Sequence, residues 1–185
     1  MAKTAAIMLG DGFEPLEAVA PLDALRRGGV QVTTVSVMGR KDVTAAQDVP
    51  VIADALVEDA DLDGFDVVIV PGGSVGVENL GKCAKLGEAL KRRMAAGKMV
   101  ASICAGPTVL AELGLLEGRH ATCYPGCETV FPAGVYVKNK VVVDENLITS
   151  EGPGTALDFG IAVLRAVAGD AAADQVAAGM LLDEQ

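Results

Sequence analysis

The chain has 185 residues, with 15 Lys and Arg against 25 Asp and Glu, for a formal net charge of -10. Hydrophobic residues make up 51% and charged residues 22%, which is ample apolar material for a large core and too little charge for a disordered chain. The acidic balance, 3% aromatics and lack of Trp exclude a reader built on a basic face and stacking rings, so no specific nucleic-acid binding is expected.

The first apolar run, Ala5 to Leu9, is shorter than the core of a secretory signal and breaks at Gly10-Asp11-Gly12. The longest apolar stretch, Met99 to Leu116, is interrupted by Ser102, Gly106, Pro107, Thr108, Glu112 and Gly114, which rules out a spanning helix there. A cytoplasmic location without membrane contact is expected. Four cysteines (Cys83, Cys104, Cys123, Cys127) are too few for a disulfide scaffold, and a reducing compartment keeps them as thiols.

In chain order, Thr4 to Leu9 reads as a strand, then Pro15 to Arg27 as a helix with Leu16, Val19, Leu22 and Leu25 at helical spacing and Gly28-Gly29 as its stop. Val30 to Val37 is the second strand. Phe65 to Val70 is an uninterrupted apolar run, as expected of a central parallel strand covered on both faces. Pro71 to Gly76 follows it and precedes a helix, and Lys82 to Ala96 reads as one amphipathic helix with Arg92 and Arg93 as surface charge. Lys98 to Ile103 is a further buried strand, and Pro107 suits the first turn of a helix to Leu113. Val135 to Val137, Val141 to Val143 and Leu147 to Ser150 read as short strands, and Gly154 to Val167 and Ala171 to Leu182 as Ala-rich helices. This alternation predicts an α/β fold, a mostly parallel sheet with helices on both faces, in one domain spanning 1–185.

Ligands of open α/β sheets bind at the carboxyl ends of strands, which singles out Gly10 to Glu17, Pro71 to Gly76 and Cys104 to Pro107. Cys104 stands where a strand turns into a helix, between small residues, with the logic of a nucleophile elbow: a tight turn pushes the central side chain outward. The helix N-terminus beside it is expected to lower the thiol pKa. A buried small hydrophobe is the alternative reading of Cys104. The lone histidine, His120, follows a surface turn and reads as a surface residue more readily than as a base.

Glu14 and Glu17, three residues apart, lie on one side of a helical turn. A carboxyl near a thiolate and away from water has its pKa raised and can stay protonated against the sulfur; helix capping by Glu14 and an exposed Glu17 are the alternative. Gly72 and Gly73 expose backbone N–H groups that suit an oxyanion, although a plain turn also accounts for them. Cys123-Tyr124-Pro125-Gly126-Cys127 has the spacing of half a zinc site and lacks a second pair, so no metal is expected.

Taken together, Gly12-Phe13-Glu14-Pro15-Leu16-Glu17, Asp66 to Gly73, Ile103-Cys104-Ala105-Gly106-Pro107 and Ser150 to Thr155 resemble, in order over about Lys3 to Leu182, the ThiJ/PfpI superfamily and its DJ-one branch. The resemblance implies a flavodoxin-like three-layer sandwich, a homodimer, and a reactive Cys104 with a protonated Glu17 against it. It places the backbone amides of Gly73 and Ala105 at the oxyanion and Tyr124 and Glu14 at the substrate. It implies no cofactor, and activity as a glutathione-independent glyoxalase turning methylglyoxal into lactate, or as a deglycase of glycated proteins and nucleotides. The branch also contains oxidative-stress proteins, sensors through the cysteine or holdase chaperones, and that role is the alternative. Two positions depart from the pattern: Tyr124 stands where relatives often carry histidine, and Glu151 where a basic or amide side chain is common. Ala105 after the nucleophile argues against the peptidase branches, which place histidine there.

Overall fold

The computed structural model describes residues 2–182. The elements run β1 (Thr4–Leu9), α1 (Pro15–Arg27), β2 (Gln31–Ser36), β3 (Asp42–Thr44), β4 (Pro50–Ile52), β5 (Ala55–Leu56), β6 (Val67–Val70), α2 (Ser74–Lys82), α3 (Ala84–Ala95), β7 (Met99–Ile103), α4 (Gly106–Glu112), β8 (Val141–Asp144), β9 (Leu147–Ser150), α5 (Ala156–Ala168) and α6 (Asp170–Gly179). The uninterrupted apolar runs become the central strands because both of their faces are covered by helices. The sheet order is β5-β2-β1-β6-β7-β9-β8; every pairing is parallel except β8 with β9.

Alternation along each strand divides the core. Ala5, Ile7 and Leu9 face α1, α5 and α6, whereas Ala6 and Met8 face α2, α3 and α4. The result is the expected flavodoxin-like three-layer sandwich. On the first face α1 and α5 approach closely, since Gly160 has no room for a Cβ, which would stand 2.9 Å from Pro21 Cα. The chain leaves β1 toward β2 and β5 on one side, then returns to β6 on the other. This places the topological switch at the carboxyl ends of β1 and β6, the position where such sheets bind ligands.

Several expectations need correction. The apolar spacing of α1 holds only in its second half: Leu25 is buried and Leu22 packs against the core, but Leu16 and Val19 are 57% and 50% exposed, while Glu17 is fully buried with Ala18, Pro21 and Ala24. The helix expected over Lys82 to Ala96 is broken at Cys83, whose extended backbone (φ -81, ψ 97) ends α2 and starts α3, and α2 itself begins inside the segment read as a turn. Arg93 is wholly buried rather than surface charge. Its guanidinium donates to the carbonyls of Leu62 (2.7 Å), Phe65 (2.9 Å), Asp66 (3.0 Å) and Met99 (2.8 Å), closing the amino ends of β6 and β7. Val135 to Val137 is not a strand; it contributes a single bridge from Tyr136 to Ala121. The β3–β4 hairpin and the two-residue β5 carried no apolar pattern to announce them. The expected domain over 1–185 extends to residues 1 and 183–185, outside those described.

Candidate active site

Three segments meet at the switch point: the loop from Gly10 into α1, the turn after β6, and the junction of β7 with α4. At that junction Cys104 has φ +65, a left-handed backbone unusual for a side chain with a Cβ. Ala105 and the start of α4 follow at once, with Pro107 in the first turn. The turn is possible because its neighbours are stripped of bulk: a Cβ on Gly106 would stand 2.5 Å from both Ser102 Oγ and Val70 O. The elbow is tied down from both sides, with Cys104 N donating to Ser150 O (2.9 Å) and Tyr124 N donating to Cys104 O (2.9 Å). Cys104 as a whole is 8% exposed, so its surroundings are largely dry.

Glu17 enters from the first turn of α1 and is wholly buried. Its Oε2 accepts a hydrogen bond from Gly72 N at 2.9 Å. Oε1 makes no well-formed hydrogen bond, although the Cys104 thiol beside the carboxyl acts on it as a donor. An ionised carboxylate with one bare oxygen is costly inside a protein. Accordingly burial lifts the Glu17 pKa to about 7, the nearby Glu14 carboxylate adding to the rise, while the thiol and the Gly72 amide pull against it. The acid expected from the sequence is thus buried against the thiol.

The thiol departs from expectation. Burial, followed by the charge of Glu17, pushes Cys104 up rather than down; only the backbone amides of Ala105 and Gly73 pull it toward the thiolate. The N-terminus of α4, worth at most about 2 kcal/mol, does not outweigh these effects. Cys104 and Glu17 therefore behave as one acid pair in which ionisation of either group opposes that of the other, and a thiolate is favoured when the proton rests on Glu17.

Gly73 and Ala105 are brought together at sulfur, as the amide contributions to Cys104 require. Gly73 has φ +90, and a Cβ there would stand 2.3 Å from Gly12 O, so only glycine lets this N–H reach the site. Glu14 does not share the buried position of Glu17. Its Oε2 accepts from Glu17 N at 3.0 Å and caps α1. Tyr124 joins the site through its backbone; its ring is 50% exposed and lies against Gly152, whose added Cβ would meet Tyr124 Cδ2 at 3.2 Å. His120 sits at the other end of the sheet, its Nδ1 3.4 Å from Asp144 Oδ2. Asp144 pairs with Leu147 three registers below Ser150, about 10 Å down the strand from the elbow.

Asp11 was not foreseen as a contributor. Its carboxylate binds Arg40 and the amide of Thr44 (3.0 Å), and Gly12 N donates to Thr44 O (2.7 Å), so the β3–β4 hairpin braces the loop that delivers Glu17. Only an Asp followed by Gly after a strand hinted at this. Among the described residues no group of three or more His, Cys, Asp or Glu is arranged to hold a metal ion, and no helix is long and apolar enough to cross a membrane.

The chain is similar to several known proteins. Protein dj-1beta of Drosophila melanogaster is 38% identical over 184 residues, covering 98% of both chains. The glutathione-independent glyoxalase DJR-1.2 of Caenorhabditis elegans is 33% identical over 169 residues, 90% of each. Toxoplasma gondii DJ-1, solved in its oxidized form, superposes with a TM-score of 0.96 at 33% identity, over 99% of this chain and 100% of that one. The family model described as DJ-1/PfpI matches residues 3–166, which span the elbow, the acid and both glycine turns, and the chain belongs to the DJ-1/PfpI family.

Proposed function

We propose that this protein is a cofactor-independent glyoxalase that converts methylglyoxal into lactate, with related deglycase action on glyoxal adducts of proteins and nucleotides. The observation that carries the reading is the wholly buried Glu17, poised near pH 7 beside a thiol that two backbone amides face. Similarity to a protein named as a glutathione-independent glyoxalase supports it.

The proton inventory gives the sequence of steps. Glu17 takes the Cys104 proton as sulfur attacks the aldehyde carbon, and the new oxyanion settles on the amides of Gly73 and Ala105. Glu17 gives that proton to the neighbouring ketone oxygen, which frees it to accept the hydrogen on the former aldehyde carbon as a proton and return it to the adjacent carbon, while the oxyanion closes to the thioester carbonyl. The product is a lactoyl thioester on Cys104, which water hydrolyses to lactate and free thiol. Oxidation state is conserved overall, because the aldehyde carbon is oxidised as the ketone carbon is reduced; no redox partner is required. Tyr124, without an imidazole, can offer only a phenol hydrogen bond to substrate. Lactate should form from methylglyoxal without glutathione, and Cys104→Ser should abolish it; an unchanged rate in that variant overturns the proposal.

A second reading is oxidative sensing through the same cysteine. A sulfur with two amides and an acid around it can hold a sulfinate, whose oxygens accept from those donors; the similarity to an oxidized structure favours it. Selective sulfinate on Cys104 after mild peroxide is its test. The outward Leu16 and Val19 of α1 offer an apolar surface to a second copy, and we propose a homodimer, to be checked by light scattering.

A further inference from the structure

Cys123 and Cys127 themselves have no part in the chemistry above, yet they flank the loop that holds the elbow. Tyr124, Pro125, Gly126 and Cys127 make a type II turn: Cys127 N donates to Tyr124 O at 2.9 Å, Pro125 is second, and Gly126 in third place has φ 97, ψ -19. Such a turn holds the Cα atoms of Tyr124 and Cys127 within about 7 Å, and Cys123 is bonded to the first of these. A disulfide between the two cysteines needs their own Cα atoms within about 7 Å. Cys127 ends the turn and Cys123 directly precedes it, so the two thiols flank one turn on its two arms.

We propose that Cys123 and Cys127 are a reversible dithiol–disulfide site closed by hydroperoxides, separate from Cys104. Both are free thiols in this structure, Cys123 buried and Cys127 partly exposed. Their charges interact directly, since Cys127 is among the groups that raise Cys123. No such influence links either to Cys104, whose own perturbers are Glu17 and the two amides. The more exposed Cys127 is the point of attack. Its thiolate takes one oxygen from the peroxide, giving a sulfenic acid and releasing an alcohol or water. Cys123 then attacks that sulfur, its proton leaves with the sulfenic hydroxyl as water, and a disulfide remains. Two thiols and one hydroperoxide thus yield one disulfide, one water and one alcohol, or two waters from hydrogen peroxide.

Burial and the Glu128 carboxylate hold both thiols protonated, so closure needs sustained oxidant rather than brief contact. The closed ring encloses Tyr124, whose N–H binds Cys104 O. The disulfide therefore fixes the strap behind the nucleophile.

The test uses hydrogen peroxide on the full chain and on Cys104→Ser, which separates the pair from the active-site thiol. Trypsin releases His120 to Lys138, a peptide containing these two cysteines and no other. The expected result in both proteins is a peptide lighter by two hydrogens that resists alkylation until a reductant is added. In Cys127→Ser, Cys123 should stay alkylatable after the same exposure. The proposal is overturned if both thiols remain alkylatable, if each becomes a sulfinate separately, or if Cys123 is found joined to Cys83, Cys104 or a second chain.

Discussion

Gly72 both binds Glu17 and leaves it space: its amide donates to Glu17 Oε2 at 2.9 Å, and a Cβ on Gly72 would stand 2.6 Å from that same oxygen and 2.7 Å from Cys104 Cβ. A methyl group here cannot be accommodated without moving the acid, the nucleophile or the turn. Gly72→Ala should therefore lose most lactate formation and cost about 1–3 kcal/mol of stability, the usual range for overpacking. Gly179→Ala, where nothing lies within 4 Å of the added carbon, serves as the control and should be close to neutral. Equal activity in the two variants would show that the crowding around Glu17 has no bearing on turnover.

The raised Glu17 pKa has a stability signature of fixed sign. Its folded pKa, about 7, lies above the unfolded value of 4.5, so the native state binds the extra proton between them. The contribution is fully present below about pH 4.5 and is lost as pH rises through 7. On the scale of 1.36 kcal/mol per pKa unit its size is roughly 3 kcal/mol. Glu17→Gln keeps an oxygen acceptor for Gly72 N and cannot ionise. Urea midpoints at pH 5 and pH 8 should therefore differ less in Glu17→Gln than in the parent, with the variant the more stable of the two at pH 8. Parallel pH profiles would show that Glu17 does not titrate with folding.

The strands that build the sheet core were legible because FDVVIV and its counterparts are apolar on both faces, and the elbow because a cysteine between small residues at a strand end marks a sharp turn into a helix. Arg93 was not. Its neighbours Lys91 and Arg92 are surface charges, and nothing local tells that the third cation turns inward to four carbonyls, three contributed by chain 27 to 31 residues earlier and one by Met99. The face of α1 was misjudged for a related reason. Hydrophobic spacing chose Leu16, Val19, Leu22 and Leu25, and the last two do pack inward, but in the first turn the site requires Glu17 inside, and it is at Pro21 and Ala24 that α5 packs close. The weak strands β3, β4 and β5 are held by pairing and by the Asp11–Arg40 contact, neither of which leaves a periodic trace.

Removing the Arg93 guanidinium leaves four carbonyls at the ends of β6 and β7 without that donor. Arg93→Leu should cost about 3–5 kcal/mol, as when one partner of a buried charged network is deleted. Arg93→Lys should recover little of it, since a single ammonium has three donors and no planar fork. Chemical denaturation measures both. A loss below about 1 kcal/mol in Arg93→Leu, or full rescue by lysine, would contradict the role of the planar fork.

Glu14 separates capping from substrate contact. Its Oε2 holds the Glu17 amide at 3.0 Å, so Glu14→Ala should cost about 1 kcal/mol, the usual loss of an N-cap, and should loosen the turn that delivers Glu17. Glu14→Gln retains the acceptor and removes the charge. Because that charge helps to raise Glu17, the glutamine variant should keep the parent's stability while the rate profile shifts to lower pH. If Glu14→Gln instead raises KM with kcat and pH profile unchanged, the carboxylate acts on substrate. The cap would then be only the position from which it does so.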